Sequence, residues 1–236
     1  MTRAGRRVVI AGMFGAVAVL LIGGAMLVAR SAAPPATSTD LEQLGRYGKV
    51  PPFALTERSG RRVTQDDLHG SVWVADFIYT ACTETCPTQS LQLAQLQREF
   101  GGAPDLRLVS ITVDPAHDTP EVLRRYAEPY GASERWWFLT GEKREIYCLA
   151  REGFRLGVVD PSAAKSPDCR PVSWLAPAAA WASHGSGGLV MHSARVALVD
   201  RRGQIRAYHL ATDPESMVRL RANLRQLLSA LAGREG

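Results

Sequence analysis

The hydrophobic positions of the chain follow two periodicities, which predict strands interleaved with helices. Predominantly apolar runs of strand length occupy residues 72–79, 106–113 and 136–139. Between them, apolar side chains recur at helical spacing over residues 93–100 and 123–130. Strands that alternate with helices of this length favour an α/β domain in which helices cover a central sheet.

Hairpins are predicted at both ends of this α/β region. Near its beginning, Ser59-Gly60 separates two short strand-like runs. Near its end, the turn at residues 200–203 joins residues 195–199 to residues 204–209. A mixed sheet is therefore expected, with antiparallel hairpins beside the strands that the helices connect.

Three helix starts carry recognisable signals. Thr119 and Asp213 each precede a proline, which suits the first turn of a helix. Thr140 is predicted to cap a helix that runs to about Arg151. The helix after Asp213 has apolar residues on one face, namely Met217, Leu220, Leu224, Leu227 and Leu231.

One stretch interrupts the regular alternation. Residues 160–188 hold four prolines and two tryptophans, end in glycine and serine, and show little periodicity. We expect an inserted loop or a partly ordered subelement here.

The first thirty residues predict a membrane anchor. Residues 8–29 contain no charged side chain and are long enough to cross a bilayer as a helix. Arg3, Arg6 and Arg7 precede them, so the amino terminus is expected on the cytoplasmic side. A cleaved signal peptide is the alternative, because residues 29–33 are rich in small side chains.

The resulting domain plan has four parts. Residues 1–7 form a cytoplasmic amino terminus, residues 8–29 the anchor, residues 30–46 a flexible linker, and residues 47–234 the folded domain. We expect a single-pass protein of the bacterial cytoplasmic membrane whose soluble domain lies on the periplasmic side.

The net charge of +5 does not indicate nucleic-acid binding. Arg3, Arg6, Arg7 and Arg30 supply four of the 28 basic residues, so the rest of the chain carries a net charge of +1. The excess of positive charge therefore belongs to membrane topology, and no basic footprint for a nucleic acid remains.

Cys82 and Cys86 carry the most specific chemistry of the sequence. They follow the apolar run at residues 72–79 and precede Pro87, which places Cys86 at a helix amino terminus. The helix dipole there favours a thiolate, the form that binds soft metals and attacks disulfides. A soft metal site, a redox pair and a structural disulfide are the three interpretations.

The chain resembles the Sco/SenC family of membrane-anchored copper proteins, which have a thioredoxin-like fold. The resemblance spans about residues 50–231. The motifs that carry it are Phe77-Ile78-Tyr79-Thr80 with Cys82 and Cys86-Pro87, Val113-Asp114-Pro115 with Asp118-Thr119-Pro120, and His192-Ser193 with Leu198-Val199-Asp200.

The resemblance implies a site for one copper ion made by Cys82, Cys86 and His192. Two thiolates and an imidazole suit Cu(I), and Cu(II) as well when the imidazole binds. Asp114 is expected either to contact the copper ligands without binding the ion itself or to contact a partner protein. The plainer alternatives are that His192 is a histidine at a strand start with no metal role and that Asp114 caps a loop.

The family implies a metallochaperone that turns over no substrate. Its copper acceptor would be the dinuclear copper centre of cytochrome c oxidase subunit II or another copper protein, and a separate chaperone could supply the ion. The competing function is a thiol-disulfide oxidoreductase that reduces cysteines of that target or of other exported proteins, with Cys82 and Cys86 as the redox pair. A peroxiredoxin-like peroxidase fits least well.

Three residues depart from the family pattern. Cys148 and Cys169 could form an accessory disulfide that pins the insertion, remain thiols, or join His184 in an accessory metal site. Met191 could be a soft contact beside His192, or it could fill the core. The remaining histidines are expected at the surface, namely His69, His117 and His209.

Overall fold

A computed structural model of the chain describes residues 38–83, 85–156, 169 and 194–230. The predicted anchor over residues 8–29, nearly all of the insertion over residues 160–188, and His192 lie outside these residues. Among the helices that the structure does describe, none has the length and apolar character needed to span a bilayer.

One mixed sheet forms the centre of the domain. In chain order its strands in the described residues are β1 (Gly48–Lys49), β2 (Ala54–Glu57), β3 (Arg62–Thr64), β4 (Val72–Ile78), β5 (Leu106–Thr112), β6 (Trp136–Thr140), β7 (Arg195–Val199) and β8 (Gln204–Leu210). Across the sheet they lie in the order β1-β8-β7-β4-β5-β6-β2-β3. Strands β4, β5 and β6 are parallel, and the other neighbours pair antiparallel. The predicted α/β sheet with hairpins at both ends is confirmed.

Helices connect and cover these strands. They are α1 (Ser38–Leu41), α2 (Thr85–Glu99), α3 (Pro120–Ala127), α4 (Lys143–Cys148) and α5 (Pro214–Ser229). Short 3₁₀ turns occupy Gln65–Leu68 and Glu128–Tyr130, and a π-helical turn at Leu149–Gly153 follows α4. The central strand β4 is buried along its whole length, as expected for a strand covered on both faces.

The core has one layer on each face of the sheet. Trp73 and Phe77 of β4 project into one layer, where the ring of Phe154 meets both at centroid distances of 5.9 and 5.3 Å. Val74 and Ile78 project into the other layer, which also contains both cysteines of the Cys82–Cys86 turn. Successive side chains of β4 point to opposite faces of the sheet, so Val74 and Ile78 share a layer with the cysteines and Trp73 and Phe77 do not.

Two of the three predicted helix caps are confirmed. The side chain of Thr119 accepts a hydrogen bond from Val122 N, and that of Asp213 accepts one from Glu215 N. The prediction for Thr140 was wrong. Thr140 ends β6 and pairs with Thr56 of β2, so sheet pairing across the chain outweighs its local capping tendency.

The flexible linker was expected over residues 30–46, yet Leu41 and Glu42 within that range pack against the domain. Glu42 is 5% exposed. Its carboxylate accepts a hydrogen bond of 2.6 Å from Ser216 Oγ and pairs with Arg219, both on α5. These partners lie more than 170 residues away in the chain, so no local pattern could reveal them.

His209 is buried, which corrects the expectation of a surface position, whereas His69 and His117 are exposed as predicted. Strand β8 lies inside the sheet and α5 covers its face, so His209 packs beneath that helix. Its Nε2 lies 3.1 Å from the side-chain nitrogen of Asn223, which donates the bond. The ring therefore accepts at Nε2 and is neutral.

Acid should destabilise the domain through His209. Burial lowers the pKa of His209 to about 4, although the neighbouring carboxylate of Glu42 acts in the opposite direction. Between the ordinary pKa and this value the unfolded chain binds a proton that the folded chain does not, so stability falls as the pH falls. From pH 7 to pH 5 this histidine should lower the free energy of unfolding by about 2 kcal/mol.

Urea denaturation of residues 38–236, which form one compact unit, measures this dependence. The variant His209→Gln should lose this part of the pH dependence, and His69→Gln should keep it because that ring is exposed. Identical pH profiles for wild type and His209→Gln would contradict the assignment.

Candidate metal centre

The two cysteines lie at the carboxyl end of the central strand. After β4 ends at Ile78, the chain turns, and the amide of Cys82 donates a hydrogen bond of 3.1 Å to the carbonyl of Tyr79. Helix α2 begins at Thr85, so Cys86 is its second residue and Pro87 falls in its first turn. This is the strand, turn and helix arrangement that the sequence predicted.

The two cysteines lie in one turn and are not joined by a disulfide. The amide of Cys86 donates to Cys82 Sγ at 3.4 Å. Cys82 and Cys86 are 8% and 5% exposed, and neither forms a disulfide in the structure. The helix start thus holds two sulfur atoms on the same side of the turn without a disulfide between them.

The protonation of Cys86 differs from the expectation of a thiolate at a helix amino terminus. Burial raises the pKa of the Cys86 thiol to about 12, and the hydrogen bond with Cys82 adds to this effect. Removing the thiol from water disfavours its charged form more than the helix dipole favours it. A soft cation would supply the positive charge that this buried pair lacks, and its binding would release the thiol proton.

Asp118 fixes the chain just ahead of the cysteines. Its carboxylate is 1% exposed and accepts a hydrogen bond of 3.0 Å from the amide of Thr80. The hydroxyl groups of Thr80 and Thr112 donate to the same carboxylate. Because Thr112 ends β5 and Thr80 precedes Cys82, this carboxylate ties the cysteine turn to the neighbouring strand.

Asp114 lies at the same edge of the sheet, directly after β5. Its amide donates to Thr112 Oγ1 at 3.0 Å, and its side chain lies 2.8 Å from Nδ1 of the exposed His117. The structure therefore gives Asp114 a partner within its own loop. The more deeply buried aspartate of this motif is Asp118.

Asp76 is a buried acid that the sequence interpretation passed over. It stands in the middle of β4 with no exposed surface and accepts a hydrogen bond of 2.8 Å from Gln89 of α2. Burial raises the pKa of Asp76 to about 6. A lone carboxyl group inside an otherwise apolar strand was the signal that could have identified it.

The third predicted ligand, His192, lies outside the described residues, as do Met191, His184 and Glu84. Among the residues that the structure describes, no group of three or more histidine, cysteine, aspartate or glutamate side chains is arranged to hold a metal ion. The described part of the predicted copper site is therefore its pair of sulfur atoms.

Cys148 and Cys169 are joined by a disulfide, with their Cα atoms 5.3 Å apart. Cys148 ends α4, and Cys169 belongs to the segment that the sequence marks as an insertion. The bond ties Cys169 to the end of α4. It also occupies both sulfur atoms, so neither is available to an accessory metal site in this state.

The sequence is similar to proteins of one family. The family model described as SCO1/SenC matches residues 42–228. The SCO1 protein homolog of Bacillus subtilis is 36% identical over 116 residues, which cover 48% of this chain and 60% of that protein. The chain thus matches less than two thirds of the length of this relative.

Solved structures show the same fold. The structure of BsSco, described as a member of the Sco family of cytochrome c oxidase assembly proteins with a disulfide switch, aligns with a TM-score of 0.60 at 23% identity. That alignment covers 79% of this chain and 98% of BsSco. Bradyrhizobium japonicum ScoI, solved with copper bound, aligns at 0.53 and 22% identity, covering 76% and 99%. The predicted thioredoxin-like fold is confirmed.

Proposed function

Because this chain belongs to the SCO1/SenC family, we propose that it is a copper metallochaperone. The proposal is carried by the pair of buried, unbonded sulfur atoms at the start of α2, where the amide of Cys86 meets Cys82 Sγ at 3.4 Å. Two sulfur ligands fixed on a rigid element are what a soft, low-coordinate cation requires. The copper bound to Bradyrhizobium japonicum ScoI is consistent with this chemistry.

The ligand set of the proposal is Cys82, Cys86 and His192, with one copper ion per domain. Strand β7 is the antiparallel neighbour of β4 and begins at the end of the sheet where β4 leads to the cysteines. His192 precedes β7 by three residues in the sequence, which supports it as the third ligand. Thiolates favour Cu(I), and the imidazole extends the range to Cu(II). Copper is here the cargo, and no bond of a substrate is broken.

The proposed acceptor is the dinuclear copper centre of cytochrome c oxidase subunit II. Support comes from BsSco, which is described as belonging to the cytochrome c oxidase assembly proteins. An anchor over residues 8–29 would hold the domain at the membrane on the periplasmic side, where such an acceptor domain is exposed. The Asp114–His117 pair, at the same edge of the sheet as the cysteines, is the proposed polar contact with a partner.

Thiol-disulfide exchange is the second candidate function. Its support is that no disulfide joins Cys82 and Cys86 in the structure and that both lie in one turn, with the amide of Cys86 3.4 Å from Cys82 Sγ. One sulfur could then resolve a mixed disulfide formed by the other. The disulfide switch described for BsSco belongs to the same type of chemistry. The high pKa of Cys86 bears on both functions, because each requires its thiolate. The copper function is the better supported of the two because a structurally similar protein, Bradyrhizobium japonicum ScoI, was solved with copper bound.

Anaerobic loading with Cu(I) separates the two functions. The full chain in a neutral detergent should bind one equivalent of copper, and Cys82→Ser, Cys86→Ser and His192→Ala should each weaken binding by more than about 100-fold. His69→Ala removes an exposed imidazole and is the matched control, with affinity unchanged. Loaded protein should then transfer its copper to the soluble domain of subunit II.

A different result would favour the oxidoreductase. That function requires a wild type that takes up no copper while its two cysteines cycle between thiol and disulfide. In that case His192→Ala would leave the exchange rate unchanged, because the imidazole has no part in breaking or forming the sulfur–sulfur bond.

A further inference from the structure

A cavity of about 470 Å³ opens at the end of the sheet opposite the cysteines. Arg107 is the second residue of β5 and Trp137 the second residue of β6. Both strands run parallel to β4, whose carboxyl end leads to the cysteines, so the cavity lies at the amino ends of these strands. Its walls contain four arginines, two glutamates and a tryptophan, namely Arg58, Arg61, Arg107, Arg135, Glu57, Glu134 and Trp137.

Two of the four arginines have carboxylate neighbours. Arg58 Nε lies 3.6 Å from Glu57, whose carboxylate also accepts a hydrogen bond from the amide of Ser59. Arg61 Nη1 lies 3.8 Å from Asp67. These contacts offset part of the positive charge at one side of the cavity.

The other two arginines are held by backbone carbonyls. Arg107 Nη1 donates to the carbonyl of Pro104 at 2.6 Å, and Arg135 donates to Ala103 and Gly101 at 2.7 and 2.6 Å. Within the described residues neither guanidinium has a carboxylate within 4.0 Å. The positive charges of Arg107 and Arg135 are therefore fixed in place by carbonyl groups. The carboxylate of Asp105 offsets part of the charge of Arg107 from beyond ion-pair distance, and the exposed Glu134 shares the cavity wall.

The positively charged guanidinium groups of Arg107 and Arg135 repel each other when no anion is bound. Burial lowers the pKa of the Arg107 guanidinium and the nearby positive charge of Arg135 lowers it further, although the carboxylate of Asp105 acts in the opposite direction. An anion between them would relieve this repulsion, because its charge would offset both guanidinium groups. A guanidinium that donates one hydrogen bond to a carbonyl still has further N–H groups that can donate to an anion.

The remaining wall is rigid and partly aromatic. The guanidinium carbon of Arg61 lies 4.9 Å from the centre of the Trp137 ring, and Trp137 Nε1 donates to the carbonyl of Glu134 at 2.9 Å. Arg58 donates to the carbonyls of Ala132 and Ser133 at 3.2 and 3.0 Å. The arginines are thus positioned before any ligand arrives, which reduces the entropy lost on binding.

We propose that this cavity, defined by Arg58, Arg61, Arg107 and Arg135, binds the phosphate group of an anionic ligand. Guanidinium groups match phosphate oxygens with paired hydrogen bonds. The volume is in the range of small-molecule sites and exceeds what a bare phosphate ion fills, so the ligand is a phosphate ester. A soluble ester and a phospholipid headgroup present the same chemistry. The site is independent of the proposed copper function.

Calorimetric titration of the full chain in a neutral detergent tests the proposal with three probes. Inorganic phosphate reports on the anion alone, glycerol 3-phosphate on a soluble monoester, and glycerophosphoglycerol on a phospholipid headgroup. We expect saturable binding of an ester that Arg107→Gln weakens by about tenfold, since a hydrogen bond to a charged group is lost. Arg125→Gln removes an equal charge from the exposed face of α3 and should leave the affinity unchanged.

Arg61→Gln provides a second test that does not disturb the loop of residues 101–106. Its side chain is 48% exposed, and its loss should also weaken binding while the circular dichroism spectrum is retained. Copper stoichiometry should be the same in Arg107→Gln as in wild type, which separates this site from the metal centre.

The preferred ester identifies the source of the ligand. Tighter binding of glycerol 3-phosphate assigns a soluble phosphate ester, and tighter binding of glycerophosphoglycerol assigns a headgroup. Three results would overturn the proposal: no saturable binding of any probe, equal losses in Arg107→Gln and Arg125→Gln, or binding of chloride as tight as that of phosphate.

Discussion

Replacement of Asp118 by alanine should lower the free energy of unfolding of the domain by about 3 to 5 kcal/mol. The carboxylate is 1% exposed and receives hydrogen bonds from the amide and hydroxyl of Thr80 and from the hydroxyl of Thr112. Alanine would leave the buried hydroxyl of Thr112 and the half-buried amide and hydroxyl of Thr80 without their acceptor. Since Thr80 precedes Cys82 by two residues, the same change should also weaken Cu(I) binding by loosening the cysteine turn.

Asp114→Ala is the matched control for this prediction. It removes an aspartate from the same loop, but its partner His117 is exposed, and an exposed ion pair contributes little to stability. Urea denaturation of residues 38–236 should therefore separate the two variants clearly. Equal losses of stability would mean that the buried Asp118 carboxylate contributes no more to the free energy of unfolding than the Asp114–His117 pair does.

Loss of the Cys148–Cys169 bond should cost about 3 kcal/mol of stability, because the cross-link closes a loop with a sequence separation of 21 residues. The double variant Cys148→Ser/Cys169→Ser tests this by urea denaturation. Both half-cystines are half-buried, so a mild reductant should reach them and lower the stability of wild type to that of the double variant.

The reductant itself supplies the control. Cys82 and Cys86 are already thiols, so it should have no further effect on the double variant. If the wild type unfolds at the same urea concentration with and without reductant, and the double variant matches both, the disulfide does not stabilise the domain. A fall in copper affinity of the double variant would show that the bond also positions the segment that leads to His192.

Local patterns were sufficient for most of the sheet. The run at residues 72–79 predicted β4 because the side chains from Val72 to Ile78 all meet a covered face. Thr119 before Pro120 predicted the start of α3 because a cap acts on its own helix. Thr140 had a similar local signal, yet pairing with β2 placed it in a strand. Local preferences fail where a distant strand competes for the same residue.

For the candidate metal centre, the sequence predicted the position of the cysteines but not their protonation. The spacing of Cys82 and Cys86 before Pro87 placed both sulfur atoms at one helix start, and the structure has them there. The protonation of Cys86 was not predictable, because it depends on how deeply the surrounding layer buries the thiol. The same holds for Asp76, whose partner Gln89 belongs to another element.

The sequence by itself determined the order of strands and helices, the position of the cysteine pair and the family. These follow from periodicity, caps and short motifs, which act between residues close in the chain. The tertiary structure alone decided that His209 is buried against Asn223 and that Glu42 pairs with Arg219. It also assembled the arginine cavity from three separate segments, residues 57–61, residue 107 and residues 134–137. Burial and long-range charge contacts depend on which distant segments the fold brings together, and no local pattern contains that information.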